Sequence, residues 1–215
     1  MLRIIIFDLD GTLIDSMEEY AVKAADLISS NYGISYEEAR QLYFRTSGLP
    51  FIEQLNLMFP GNPRNAEVAE EFESWKEKII HKYQKLSPEV YETLMKLRPR
   101  YKIVVSSNNL QPYVERLTRD WPVDLALGYK GNSFKKGKPH FSYVKQLFSA
   151  SPQEILFVGD SLKDAEVAKE EKVFFIGLAQ RFACCEFYAI YPAALCALRF
   201  SQIPELVSEI EGGKA

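Results

Sequence analysis

The 215-residue sequence is short of several things, and each shortage excludes a class of protein. It has three cysteines, Cys184, Cys185 and Cys196, an odd count without paired spacing. That argues against a disulfide scaffold and fits a reducing, cytoplasmic setting. It has no basic excess: 26 Lys and Arg stand against 29 Asp and Glu, a net charge of −3. A general nucleic-acid binder needs such an excess to neutralise phosphates, so no nucleic-acid partner is expected. No apolar run approaches the roughly 20 residues of a membrane helix. The opening Met1-Leu2-Arg3 and its four apolar successors are too short for a signal peptide. No membrane partner is expected, and internal repeats and low-complexity segments are lacking. What remains is 47% hydrophobic and 26% charged, a globular composition with material for a core. The length fits one large domain or two small ones.

The chain alternates strand and helix patterns. Residues 3–7 are a short, β-branched apolar run of the buried parallel-strand kind. Ser16 and Glu19 match a capping box for a helix ending at Gly33. From 35 to 84 the patterns are helical only, at 36–45, 50–58 and 66–84. From Ser87-Pro88 onward, helices alternate with strands predicted at 101–106, 124–127, 155–158 and 173–176. The fold class expected is α/β: a Rossmann-like parallel sheet with helices on both faces, interrupted after its first strand by an inserted helical domain. The boundaries are 1–14 with 87–215 for the α/β core, and 15–86 for the insertion. Residues 181–195 read as a helix without an assigned partner.

In open parallel sheets, ligands bind beyond the carboxyl ends of the strands. Asp8 and Asp10 follow the first strand, and Ser106, Ser107 and Asn108 follow the next. Gly159, Asp160 and Asp164 follow a later one, and Lys138 lies in a loop before a helix. Each piece alone reads as a turn, a helix cap or a solvated loop. In this order, each at a strand end, they converge. Clustered carboxylates need a cation between them, and a hard divalent ion such as magnesium is implied. A lysine, a hydroxyl and backbone N–H groups beside it suit a phosphate. The pair Asp8 and Asp10 can divide the work of nucleophile and proton carrier.

These motifs resemble those of the haloacid dehalogenase-like hydrolase superfamily, in particular its phosphatase branch with a small helical cap inserted after the first motif. Phe7-Asp8-Leu9-Asp10-Gly11-Thr12-Leu13 resembles the first motif, Ser107-Asn108 the second, Lys138 the third, and Gly159-Asp160-Ser161 with Asp164 the fourth. The resemblance implies Asp8 as nucleophile, Asp10 as acid and base, and Ser107, Asn108 and Lys138 on the substrate phosphate. Ser106 is the alternative for the hydroxyl. It implies magnesium held by Asp8, the Asp10 carbonyl and Asp160. Asp164 and Thr12 would ligate through water or orient the ligands from behind. The implied activity is magnesium-dependent hydrolysis of a small phosphorylated metabolite, phosphoglycolate or a sugar phosphate, by a monomer or homodimer. Dehalogenation is disfavoured because Asp10 is present. A phosphosugar mutase of the same superfamily is the alternative, weakened because Tyr20 stands where the mutases carry a hinge histidine. A phospho-accepting signalling module is the other, but it has no helical insertion.

Overall fold

The computed structural model describes residues 1–213. Six strands form one sheet in the order β3-β2-β1-β4-β5-β6. They are β1 (Ile4–Phe7), β2 (Lys102–Leu110), β3 (Leu125–Tyr129), β4 (Ile155–Gly159), β5 (Phe174–Leu178) and β6 (Leu195–Ala197). Every ladder is parallel. β1 and β4 are buried along their whole length, as strands covered on both faces must be. β1 pairs with β2 on one side and β4 on the other, so the direction of strand addition reverses at β1. Such a reversal opens a crevice beyond the carboxyl ends of the strands flanking it.

The chain divides into two compact units, Met1–Ile14 with Lys85 onward, and Asp15–Gln84. The second is helical: α1 (Met17–Tyr32), α2 (Tyr36–Thr46), α3 (Phe51–Met58) and α4 (Asn65–Ile79). Its core is aromatic, with the Tyr20 ring meeting Phe72, Trp75 and Tyr83 edge-on at 6.0, 5.9 and 6.0 Å. The first unit adds α5 (Pro88–Leu97), α6 (Gln111–Thr118), α7 (Lys138–Leu147), α8 (Leu162–Glu171), α9 (Cys184–Ile190) and α10 (Ile203–Glu211). Its core includes the ring series Phe141, Phe157, Phe175 and Phe187, with successive centroids 5.3, 5.9 and 5.8 Å apart.

Three local expectations are corrected. Ser16 makes no side-chain cap: its backbone is already helical, at φ −103° and ψ −15°, whereas a capping residue needs an extended one. Glu19 instead accepts from Lys82 Nζ and from the Tyr83 hydroxyl. Within residues 181–195 the helix is short, α9, and is followed by the start of β6; its partner is the sheet, with Phe187 5.8 Å from Phe175. Cys184 and Cys196 form a disulfide, leaving Cys185 as an exposed thiol. The short edge strand β6 brings them together, with Cα atoms 5.7 Å apart, and that strand has no alternating or β-branched run to announce it.

Candidate active site

Asp8 follows the last residue of β1, and its N–H donates to Val158 O of β4. The backbone of the two strands therefore fixes where its carboxylate begins. Asp160 follows Gly159 at the end of β4, and Ser161 caps α8. The Ser161 hydroxyl accepts from Asp164 N–H, while Asp164 Oδ2 accepts from Ser161 N–H and from its hydroxyl, at 3.1 and 2.6 Å. This reciprocal cap turns Asp164 back over the strand end. Only glycine fits beneath it, since a Cβ on Gly159 would stand 2.6 Å from the Asp164 carboxyl carbon. Asp8, Asp160 and Asp164 are all buried, each offering an oxygen within 4.8 Å of the others.

The cation between them is Lys136. Its ammonium lies 2.6 Å from Asp8 Oδ1 and 2.9 Å from Asp164 Oδ1, with 5% of the side chain exposed. Lys138, expected in this place, is exposed and is the first residue of α7. Gly137 separates the two lysines at φ 107°, a conformation that favours glycine, and the turn sends them to different sides. Lys136 is also held through its backbone, which donates to Asn108 Oδ1 at 2.9 Å. The Asn108 carbonyl oxygen is thus directed to the lysine loop.

Asn109 and Arg181, like Lys136, meet the site carboxylates although no motif in the sequence marks them. The Asn109 side-chain amide donates to Asp10 Oδ2 and, at 3.1 Å, to Ser107 Oγ. The register between β2 and β3 shifts between Ser106 and Leu110. Such irregularity re-aims side chains, so the alternation of a regular strand does not apply to Ser106–Asn109. The carboxylate of Asp10 lies on Asn109 and is not one of the three clustered acids. The Thr12 hydroxyl reaches Asp8 Oδ2 at 3.5 Å, the long limit for a hydrogen bond.

The two serines differ in where their protons point. His140 is fully buried, with Nε2 3.1 Å from Gly128 O and Nδ1 2.9 Å from Ser106 Oγ. A carbonyl only accepts, so Nε2 carries the hydrogen and Nδ1 accepts from Ser106. Burial holds this imidazole neutral, its pKa lowered to about 4. The Ser106 proton is committed to it. Ser107 Oγ receives two donors, from the Asn109 backbone and side chain, so its own hydrogen is left to donate elsewhere.

Carboxylates outnumber cations here. Burial raises the pKa of Asp8 well above the usual range, and the neighbouring Asp164 and Asp160 raise it further against the pull of Lys136. Asp160 rises to about 6, again mainly through burial, although Arg181 opposes the rise. Burial disfavours the charge on Lys136, but Asp164 and Asp8 outweigh it and the ammonium holds its proton. A compact set of hard oxygen donors with surplus negative charge fits a small divalent cation of the magnesium type.

Carboxylates, a lysine and a serine at the switch point of a parallel sheet are what the haloacid dehalogenase-like hydrolases carry, and the chain belongs to that family: a family model of that description matches residues 5–178. Among its relatives, a phosphoglycolate phosphatase of Vibrio vulnificus is 29% identical over 194 residues, 82% of this chain and 83% of its own. One of Yersinia pestis is 28% identical over 188 residues, covering 82% and 81%. Solved structures share the fold, among them a β-phosphoglucomutase of Clostridium difficile with a TM-score of 0.78 at 19% identity, covering 100% of this chain and 99% of that one. No described helix is long and apolar enough to cross a membrane.

Proposed function

We propose that the protein is a magnesium-dependent phosphomonoester hydrolase that works through a phosphoryl group carried on Asp8. The observation that carries this reading is Lys136 bridging Asp8 and Asp164 beside Asp160, at the carboxyl edge of the sheet. An Asp8 oxygen attacks phosphorus, the bond from phosphorus to the leaving oxygen breaks, and Asp10 delivers a proton to that oxygen. Asp10 then takes a proton from water as it attacks phosphorus, releasing inorganic phosphate and restoring Asp8. Asn109 holds the Asp10 carboxylate in place for both transfers. The free Ser107 hydrogen and the Lys136 ammonium serve the phosphoryl oxygens, so the role expected of Lys138 passes to Lys136. Asp8 and Asp160, with the Asp10 carbonyl, would hold magnesium, which supplies positive charge to the phosphoryl oxygens and keeps Asp8 ionised. Asp164 is already engaged by Ser161 and Lys136, which suits an orienting part.

The helical unit is the element to which we assign substrate selection, as a cap with hinges at 13–16 and 84–88. The phosphoglycolate phosphatases among the relatives favour a small anionic phosphomonoester such as phosphoglycolate. The mutase alternative loses ground: Tyr20 is 2% exposed and locked among Phe72, Trp75 and Tyr83, with no ring nitrogen to move a proton. The test is phosphate release from a panel of phosphorylated metabolites with magnesium and with excess chelator. Turnover that vanishes with chelator and returns with magnesium is expected. Full activity in chelator would remove the metal, and phosphoprotein that accumulates without release would favour the signalling alternative.

A further inference from the structure

Among the described residues two cations meet the acidic cluster, and they are held differently. Lys136 serves Asp8 and Asp164 and is sealed, with 5% of its side chain exposed. Arg181 serves Asp160: its guanidinium donates to Oδ2 at 2.8 Å, and its side chain is 25% exposed against 2% for the carboxylate. Arg181 stands in the turn between β5 and α9, with the Phe182 ring 5.8 Å from its guanidinium carbon. One charge is therefore built into the cluster, and the other stands beside it, partly exposed to water. A divalent cation held by Asp8 and Asp160 would draw on the same carboxylate as Arg181 and bring twice its charge.

We propose that Arg181 is a tethered counter-cation, which neutralises and holds Asp160 until a divalent ion enters and then yields that carboxylate to it. The proposal rests on the reading that these carboxylates hold such an ion. Because the carboxylate is buried and the guanidinium is polar and partly hydrated, displacement is feasible yet opposes binding. Arg181 thus raises the concentration of divalent ion at which the site fills. A residue that merely orients Asp160 for the metal would do the reverse, since its loss would weaken binding.

The experiment titrates Mn²⁺ alone into the full chain, without substrate, and follows free Mn²⁺ by its electron paramagnetic resonance signal. Arg181→Gln keeps a hydrogen-bonding side chain but no charge, and should bind Mn²⁺ about tenfold more tightly than wild type, the scale of one charge-assisted hydrogen bond at a partly screened site. Equal or weaker binding would overturn the proposal. A second measurement needs no variant. In the wild type, rotation of the Arg181 guanidinium, read by nuclear magnetic resonance, should be slow without ion and fast with saturating Mg²⁺; slow rotation in both states would also overturn it. Mn²⁺ binding that depends on Asp160 but not on Arg181 would sink this proposal and leave the metal reading standing. No Mn²⁺ binding at all would sink both.

Discussion

Replacing Lys136 by Met separates the two lysines of this loop most sharply. The ammonium bridges two carboxylates whose side chains are 7% and 0% exposed, at 2.6 and 2.9 Å. Its loss leaves Asp8 and Asp164 buried without that counter-charge, and breaking a buried pair in this way costs about 3–5 kcal/mol. The loss depends on pH. Asp8 has a raised pKa, so in acid it takes up a proton and escapes part of the destabilisation. Urea unfolding should show a deficit of about 3 kcal/mol or more at pH 8 that shrinks toward pH 5. Hydrolysis of an aryl phosphate by the fraction that remains folded should fall by about 10²–10³-fold, the usual cost of one electrostatic contact to a transferring group. Lys138→Met removes an exposed side chain at the start of α7. It should stay within about 0.5 kcal/mol of wild-type stability and near wild-type turnover. An inactive Lys138→Met beside an active Lys136→Met would refute the assignment.

His140 gives a pH signature. Its pKa is lowered to about 4 in the folded protein, so its contribution is complete above the unfolded value near 6.5 and is lost as pH falls from there toward 4. Between pH 7 and pH 5 the wild type should lose about 2 kcal/mol from this group alone, read as the difference in urea unfolding against His140→Gln; a variant with the same pH slope would contradict it. Gly159→Ala should push Asp164 off the strand end, costing about 1–3 kcal/mol and weakening Mg²⁺-induced thermal stabilisation; unchanged melting with and without Mg²⁺ would contradict the contact. Arg45→Ala, at the exposed end of α2, should change the ratio of kcat/KM between a small and a bulky natural phosphate more than it changes aryl phosphate hydrolysis, and an unaltered ratio would count against the cap as the selecting element.

The parallel sheet and its inserted helical unit were legible because apolar runs, Gly and Pro mark their ends directly. Asp8, Asp160 and Asp164 were legible for a related reason. Each stands at a short fixed offset from a strand end, so locating the strand locates the acid. Lys136 was not legible, because Lys135, Lys136 and Lys138 crowd one loop and composition does not rank them. What separates them is the positive φ of Gly137 and a hydrogen bond that the Lys136 backbone N–H donates to Asn108 Oδ1, 28 residues earlier in the chain. Asn109 was hidden by the assumption that β2 stops at Ser106. The strand runs on to Leu110 with a shifted register, and that irregularity turns Asn109 toward Asp10. The disulfide was out of reach because it depends on β6, three residues long and recognisable only once β5 has a neighbour.

If Asp8 carries the phosphoryl group, mass spectrometry of the Asp8 peptide will find it there. Wild type and Asp10→Asn should be mixed with an aryl phosphate and magnesium, quenched in acid and digested. One added phosphoryl group on Asp8 is expected, in larger amount in Asp10→Asn, where the intermediate forms from a good leaving group and then persists for want of a base. Steady turnover with Asp8 unmodified in both proteins, or equal turnover by Asp8→Asn, would contradict the account.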